Sequence, residues 1–553
     1  MVLEYNNVHV QVYVVLNNKN HHLGSIFSLF ISSIVLSPST RQDTDTWDTS
    51  RNTFRTITDS RPRTTRDNSR QTFSKMMTEA RSVNYSPLKS FSVLFAFGWL
   101  TFWNSWQFMD YASVSTLGKQ IFHTDNNGLN WLYSASLMAV VVSSLPAIYL
   151  MESHGVTGSW SVMAIATVSN VIGCWLRWLS VVHESYVVAL LSSIVLGFAG
   201  AGVIVSIVPL AEHNFPKETR TLATTIAVQM NYLGWCLSSV IVPANSNTKT
   251  ELGSMLFTQA ILISFSILFF SMFHRPLPSW CCNRNSGSSS ESDRLVPGGE
   301  DQRDNNHHNS NNDGLAHHFK QMSTLLVNRQ FMVQCLCFSM LGGISFALPA
   351  VQDELFLEVG LPQKYTKWTN LSFLATGVLT GLIIGGVFHY KNIAPDDFYS
   401  MFTIRLLFGI CTLSLSGLAV LASFAADMSN NAVFGLALIL MAISGGCSLG
   451  FVGIALPQAV HIARPVSEVY SASSVEWLLQ IWGVVFAQWC AGSGGGGGGS
   501  SNVTGPSPSE VTHNGGFVIC AASCGVAFFL LLFFGSNTHC NGSSNQAARE
   551  VIE

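Results

Sequence analysis

The segment "FPKETRTLATTIAVQMNYLG" (residues 215–234) has a counterpart 249 residues later in "RPVSEVYSASSVEWLLQIWG" (residues 464–483). The two segments can be superimposed without a gap, and each leads from a basic loop marked by proline into an apolar stretch. The matching positions are Pro216 and Pro465, Ala223 and Ala472, Thr224-Thr225 and Ser473-Ser474, Asn231 and Gln480, and Gly234 and Gly483. Shared spacing, polarity and position favour descent from a duplicated unit over coincidence, so we predict a chain built from two related halves.

Apolar segments recur on both sides of this repeat, and each is long enough to cross a hydrocarbon core about 30 Å thick. They lie near residues 90–115, 130–151, 159–181, 186–210, 221–243, 253–274, 329–351, 368–390, 398–424, 431–456, 471–491 and 515–535. Taken with the repeat, they fall into two sets of six. We therefore predict an all-α membrane protein whose twelve transmembrane helices form two pseudo-symmetric six-helix bundles, at residues 89–274 and 328–535.

Three polar regions flank and separate these bundles: an N-terminal tail at 1–88, a linker at 275–327 and a C-terminal tail at 536–553. The linker is rich in Ser, Asn and Gly and has no apolar periodicity, so we predict that it is disordered. We interpret its histidines as members of a solvated tract rather than as metal ligands; they are His307, His308, His317 and His318. The N-terminal tail has one apolar run, 24–36, which is too short to span a bilayer. We expect a disordered tail there, with an organelle-targeting sequence as the alternative.

The composition excludes several classes of function. Charged residues make up 11% of the chain, against roughly 25% in soluble domains, and a net charge of −3 gives no electrostatic basis for binding nucleic acid. The 12 cysteines are scattered, mostly within apolar segments, so we interpret them as reduced packing residues. The sequence contains no nucleophile–base pair, metal-ligand spacing or phosphate-binding loop that exceeds chance, so we predict neither an enzyme nor a bound metal or cofactor.

The distribution of Lys and Arg among the loops predicts that both termini and the linker are cytoplasmic. In that topology the sequon Asn502-Val503-Thr504 lies in the last outer loop, on the side where glycosylation takes place. Cys281 and Cys282 follow the sixth apolar segment and are either palmitoylated or plain surface thiols. The membrane is either the plasma membrane or an organelle membrane, and we expect a monomer.

Polar side chains interrupt the first apolar segment in "FWNSWQFMDY" (residues 102–111). A polar group within a bilayer costs free energy and persists where it faces the interior of a bundle. Asn104, Gln107 and Tyr111 are spaced by three and then four residues, so on a helix they share one face, with Phe108 beside it. We predict that this face lines a central pore. An interfacial aromatic belt is the alternative, but a belt does not account for Asn104 and Gln107.

The seventh apolar segment, "SMLGGISFALPAVQDELF" (residues 339–356), is the counterpart of the first under the repeat. Phe346 is the residue of this segment that the family resemblance described below implies at the pore, where an aromatic ring would attract an organic cation without a buried counter-ion. Packing against lipid or neighbouring helices is the alternative role for this side chain. Asp353 and Glu354 lie near the outer end of the segment, as Asp110 does in the first, where snorkelling relieves the cost of a charge. These three carboxylates are candidate coupling groups.

Six plus six helices around a long inner linker resemble the architecture of the major facilitator superfamily. A more specific resemblance is to the family of feline leukaemia virus subgroup C receptors, which are haem and choline transporters. It rests on the order of polar and aromatic residues at 104–111, on "SNVIGCWLRW" (169–178), on residues 215–234 and on "ALPQAVHIARPVSEVYSASSVEWLLQIWG" (455–483). The resemblance implies that the substrate is bound by Asn104, Gln107, Phe108, Tyr111, Asn231, Tyr232, Phe346 and Gln480, with Tyr232 standing where the family usually has Gln.

The resemblance also implies a solute transporter that works by alternating access, with a small molecule and the lipid bilayer as its partners. We predict that the substrate is a small organic cation such as choline, held between Phe108 and Phe346. Export of haem or another organic solute is one alternative, and a non-transporting membrane receptor or sensor on the same fold is another. The central polar residues favour transport, because a non-transporting scaffold does not need them.

Overall fold

A computed structural model describes residues 4–5, 8–9, 87–273, 310–395, 397–493 and 515–534 of the chain. The chain divides into two compact units, residues 1–83 and 84–553. In the first unit, strand β1 (Glu4–Tyr5) pairs antiparallel with strand β2 (Val8–His9). The prediction of disorder is therefore wrong for these four residues, because Tyr and Val favour extended backbone. The rest of the predicted N-terminal tail up to residue 86 lies outside the described residues, as does the predicted C-terminal tail.

The second unit is helical, and residues 87–273, the described part of its first half, form six α-helices. They are α1 (Pro87–Met109), α2 (Ser115–Phe122), α3 (Asn126–Val182), α4 (Tyr186–Asn214), α5 (Lys217–Ala244) and α6 (Lys249–Phe273). The second half follows α7 (Ser310–Val327) and contains α8 (Arg329–Glu358), α9 (Gln363–Lys391), α10 (Phe398–Phe424), α11 (Asn430–Gly450), α12 (Val452–Ala463), α13 (Glu468–Ser493) and α14 (Gly515–Phe534).

The predicted fold of twelve transmembrane helices is confirmed. Helix α3 contains two of the predicted spans and bends between them at Gly155, whose φ of +53° is readily adopted only by glycine, while α11 and α12 together form the tenth span. Ten spans in the described residues are long and apolar enough to cross a membrane. Helices α1 and α13 are not among them, because Trp, Ser, Asn, Gln and Glu side chains lower their hydropathy.

The sequence repeat corresponds to a repeat in helix packing. A Cβ atom on Gly234 of α5 would overlap the carbonyl oxygen of Phe102 in α1. The matching glycine, Gly483 of α13, lies against α8, where an added Cβ would be 3.3 Å from the Cβ of Phe346. Each half therefore uses the same glycine to bring its repeat helix against its first helix.

Two predicted helix boundaries differ from the structure. Helix α1 ends at Met109 rather than near residue 115, because the chain turns at Asp110 and continues through a 3₁₀ turn, Ala112–Val114, into α2. In the predicted disordered linker, residues 310–327 form α7, so the prediction is wrong for that part. The polar composition conceals an apolar side of α7, on which Met322 and Leu325 pack against the core. The linker residues before 310, including Cys281 and Cys282, lie outside the described residues.

His318 of α7 is not solvated as predicted, since only 9% of it is exposed. The centre of its ring lies 4.4 Å from that of Tyr149 in the first half and 5.5 Å from that of Tyr470 in the second. Helix α7 therefore touches both halves, near the bend of α3 at Gly155 and near the start of α13. We call this side of the bundle, on which α1 begins, the inner side, after the predicted topology.

Candidate functional site

A small cavity lies between the two halves. It is lined by Asn104, Ser105, Phe108, Leu137, Val140, Gly200, Val203, Ile204, Asn231, Trp235, Phe346 and Gln480. These residues come from α1, α3, α4 and α5 of the first half and from α8 and α13 of the second, and all of them are uncharged. The cavity volume is about 20 Å³, which is room for about one water molecule. Any organic ligand would therefore require the lining side chains to move apart.

Five of the eight predicted binding residues line this cavity: Asn104, Phe108, Asn231, Phe346 and Gln480. They were selected from four segments that are far apart in sequence, and the structure brings them together. Gln107, Tyr111 and Tyr232 do not line the cavity.

Aromatic rings from both halves meet at the cavity. The ring centres of Trp235 and Phe346 are 4.6 Å apart at an interplanar angle of 71°, and Tyr232 lies edge-on behind them, 6.2 Å from Phe346. The hydroxyl of Tyr133 donates a hydrogen bond of 2.7 Å to the carbonyl oxygen of Phe346. This bond fixes the backbone of α8 against the first half. The sequence analysis missed Trp235, although it lies four residues after Asn231 and so on the same side of α5.

The side-chain amides at the cavity differ in whether their donor and acceptor atoms have hydrogen-bond partners. Asn231 accepts a hydrogen bond from the hydroxyl of Ser105, and the Nδ2 group of Asn104 donates to Asn170 at 3.0 Å and to the carbonyl oxygen of Leu196 at 3.2 Å. Gln480 is 1% exposed, and its Oε1 atom has no hydrogen-bond partner among the described residues. A buried acceptor without a donor is unfavourable, so Gln480 is suited to receive a donor from a ligand.

Gln107 and Tyr111 face the interior of the first half rather than the pore, which corrects the prediction for these two residues. The Nε2 group of Gln107 donates to Asn170 at 3.2 Å, and the hydroxyl of Tyr111 lies 2.7 Å from that of Ser180. The prediction assumed one continuous helix. Because α1 ends at Met109, Tyr111 no longer continues the helical stripe.

Asp110 does not snorkel to the outer surface as predicted but is fully buried. Its Oδ2 atom lies 3.7 Å from the guanidinium of Arg177, and Gln259 donates to its Oδ1 atom at 3.2 Å. Arg177 is itself buried and donates to the hydroxyls of Ser192 and Ser193 at 3.3 and 3.0 Å. The hydrogen bonds from Gln259 and to Ser192 and Ser193 satisfy the remaining polar atoms of this buried charge pair. We therefore interpret the pair as stabilising the first half, away from the cavity.

The other two candidate coupling groups also lie outside the cavity. Asp353 borders a separate pocket of about 230 Å³ on the outer side, together with Lys367 and Asn370. Glu354 accepts a hydrogen bond of 3.3 Å from Asn130, which joins the two halves on that side.

A carboxylate that the sequence analysis missed, Glu476, lies in α13 one helical turn from Gln480.

Three cavities follow one another along α5. The outer pocket includes Ser239 and Pro243, the small cavity includes Asn231, and a third cavity of about 440 Å³ on the inner side includes Thr224. The inner cavity is lined by charges of both signs, among them Glu212, Lys217, Glu218, Arg220 and Arg464. The small cavity is therefore separated from a larger one on each side.

Hydrogen bonds join the two halves on both sides of the small cavity, between it and each of the larger cavities. On the inner side, Ser467 donates to Glu152 at 3.0 Å and His389 donates to the carbonyl oxygen of Glu218 at 3.0 Å. On the outer side, the equivalent bridge runs from Gln488 to Ser134 at 2.7 Å. The structure is thus closed on both sides of the small cavity.

Comparison with known proteins identifies relatives of most of the helical unit. Residues 90–487 match the sequence profile of the Major Facilitator Superfamily. The chain is 20% identical over 404 residues to the choline/ethanolamine transporter FLVCR1 of Felis catus, an alignment that covers 72% of this chain and 66% of the feline protein. It is 28% identical over 161 residues to the protein of the same name from Mus musculus, covering 28% of each chain. The alignments thus span just under two thirds, or less, of these relatives.

Among solved structures, the fold is similar to that of the transporter FucP in its outward conformation. The TM-score is 0.52 with 15% sequence identity, over 81% of this chain and all of the other. This likeness concerns the fold alone.

Proposed function

The chain belongs to the Major Facilitator Superfamily, and we propose that it carries a small organic cation of the choline class across a membrane by alternating access. It is a multi-pass integral membrane protein.

The observation that carries the proposal is the convergence of aromatic and amide side chains from both halves on one cavity. Phe108 and Trp235 come from the first half, and Phe346 and Gln480 come from the second. Ring faces attract a quaternary ammonium group by about 0.5–2 kcal/mol each. The buried Oε1 atom of Gln480 is suited to accept a hydrogen bond from the hydroxyl of choline or the ammonium of ethanolamine.

The relatives support the same chemistry, because the feline and mouse proteins are named as choline and ethanolamine transporters. The uncharged cavity disfavours haem, since a haem propionate needs a cationic partner when it is buried. Arg177, a buried arginine of the first half, is occupied by Asp110.

Alternating access is supported by the position of the cavity between two closures. Opening the inner closure while the outer one holds, and then the reverse, would expose the same residues to each side in turn. The hydrogen bonds in each closure add to the packing between the halves, and each is worth only about 0.5–1.5 kcal/mol in net terms. A substrate that binds to the cavity residues can therefore shift the equilibrium between the inward-open and outward-open states.

The test is uptake of labelled choline by the full chain reconstituted in liposomes. We expect saturable uptake that ethanolamine inhibits and that 3,3-dimethylbutanol, a neutral molecule of the same shape, does not inhibit. Protein-free liposomes and unlabelled-choline competition are the controls. Uptake no greater than in protein-free liposomes, or equal inhibition by the neutral analogue, would refute the proposal.

A further inference from the structure

Glu476 is a carboxylate buried beside the path between the halves. It is 5% exposed and lies in α13, four residues before Gln480 and seven before Gly483. On a helix these three positions form one stripe. Gln480 lines the small cavity, and Gly483 lies against Phe346 and Leu137, which also line it. The stripe therefore faces the cavity, with Glu476 one turn nearer the inner side.

Glu476 has neither a hydrogen-bond donor nor a cation against it among the described residues. Tyr232 of α5, which is uncharged, lies close enough to interact electrostatically with Glu476. The two described arginines of the first half are engaged elsewhere: Arg177 pairs with Asp110, and Arg220 lies 3.7 Å from Glu212 at the inner cavity. This isolation distinguishes Glu476 from Asp110, which has an arginine and an amide.

A lone ionised carboxylate in such surroundings is strongly unfavourable. Two arrangements relieve the cost: the carboxyl group holds a proton, or a cation occupies the space beside it. The small cavity has no charged residue of its own to balance a bound cation. Glu476, about 6 Å farther along the helix axis, is placed to supply the balancing charge when the lining side chains move apart.

On the basis of the transport function proposed above, we propose that Glu476 exchanges a proton for the substrate cation. In the empty closed state the carboxyl group is protonated. When the cation enters, Glu476 releases its proton to the water on the side to which the cavity is open, and its carboxylate balances the cation. When the cation leaves, the carboxylate takes up a proton from the water on that side. One positive charge enters the site for each one that leaves, so the transport cycle is an electroneutral exchange of cation for proton.

The experiment uses the full chain in liposomes, with labelled choline and an imposed pH gradient at zero membrane potential. An interior one pH unit more acidic should drive choline accumulation to about tenfold, because exchange ends when the two gradients are equal. A membrane potential of 100 mV, negative inside, should not drive accumulation by the wild type. Glu476→Gln keeps the shape of the side chain but cannot ionise. We expect it to lose accumulation by the pH gradient and to accumulate choline about fiftyfold under that potential, as a carrier of a single uncompensated charge does.

Two further variants keep the inference testable. Glu476→Asp retains a carboxylate and should retain the response to the pH gradient. It provides the test of this position if Glu476→Gln does not fold. Glu251→Gln, an exposed glutamate in the first turn of α6, is the matched control and should behave as the wild type. Accumulation driven by the pH gradient in Glu476→Gln would overturn the inference. So would wild-type choline transport that follows the potential and ignores the pH gradient, which leaves the proposed function intact. Absence of any choline uptake by the wild type would instead refute the proposed function and, with it, this exchange.

Discussion

Asn231 and Gln480 occupy the same position in the sequence repeat, 249 residues apart, and they line one cavity from the two halves of the molecule. Each lies three residues before the glycine that packs its helix against the first helix of its own half. The duplicated helix thus supplies an amide to the same central space twice, and the two amides are expected to contribute to binding in similar ways.

Replacing either amide with leucine should weaken choline transport more than it weakens folding. Asn231→Leu and Gln480→Leu each remove one polar contact worth ~0.5–1.5 kcal/mol, which corresponds to an increase in KM of about two- to twelvefold. The measurement is initial uptake against choline concentration, together with thermal stability in detergent. Gln334→Leu is the control, because Gln334 is a buried glutamine of α8 that does not line the cavity. An equal loss of transport in the control would mean that the defect is structural.

Removing an aromatic face should also raise the KM. Phe346→Leu keeps apolar bulk but loses the ring, and a cation–π contact of about 0.5–2 kcal/mol corresponds to a two- to thirtyfold change. Phe108→Leu should behave in the same way. Phe338→Leu is the matched control, because Phe338 is a buried phenylalanine of the same helix that packs against Phe408 and Phe451. If choline uptake by Phe346→Leu equals that of the control, the ring does not contact the substrate.

The fold was largely predictable because its signals are local. Length and hydropathy identify most of the spans within their own segments, and the repeat pairs the halves through Gly234 and Gly483. The boundaries were less predictable, because tertiary contacts decide them. Helix α1 ends at Met109, and the next residue, Asp110, forms an ion pair with Arg177 of α3.

The lining of the cavity was predictable for Asn104, Asn231 and Gln480, which lie within helices α1, α5 and α13. It was not predictable for Gln107, which lies in α1 but donates to Asn170 without lining the cavity. Tyr111 was misplaced because its helical face depends on a helix that ends before it. Glu476 was overlooked because a single carboxylate forms no motif. The signal available was its spacing of four from Gln480, which places both side chains on one face of α13.

The buried pair of Asp110 and Arg177 should be important for stability. Asp110→Asn leaves the guanidinium buried without its counter-charge, a change that typically costs about 3–5 kcal/mol. The purified variant should therefore unfold at a clearly lower temperature than the wild type. Glu184→Gln is the control, since Glu184 forms an exposed ion pair with Lys249 at 2.6 Å, and exposed pairs contribute little. Equal unfolding temperatures for Asp110→Asn and the wild type would contradict the structural role of the pair.

The predicted topology places the linker on the cytoplasmic side. With Cys281 and Cys282 replaced by serine, a cysteine introduced by Ser290→Cys should resist an impermeant maleimide applied to intact cells. One introduced by Ser501→Cys, in the last predicted outer loop, should react. Both positions should react after permeabilisation, which controls for accessibility. Reaction of the linker cysteine from outside would reverse the assignment of sides.

Helix α7 should stabilise the closed inner side, because His318 contacts Tyr149 of the first half and Tyr470 of the second. His318→Ala removes both ring contacts. If α7 stays with one half when the inner side opens, the opening breaks one of these two contacts. An aromatic pair is worth about 0.5–1.5 kcal/mol beyond its buried area, so the inner opening should become about two- to twelvefold more populated in His318→Ala. The shift can be measured with Val203→Cys, a reporter in the small cavity.

An impermeant maleimide applied to the inner side should therefore label this reporter faster by the same factor when His318 is replaced. Phe319→Ala is the matched control, because Phe319 is adjacent in α7 and 68% exposed. It should leave the labelling rate unchanged. Equal rates in the His318→Ala and Phe319→Ala backgrounds would show that α7 does not hold the inner closure. Slower labelling with His318→Ala would mean that its ring contacts favour the open inner side instead.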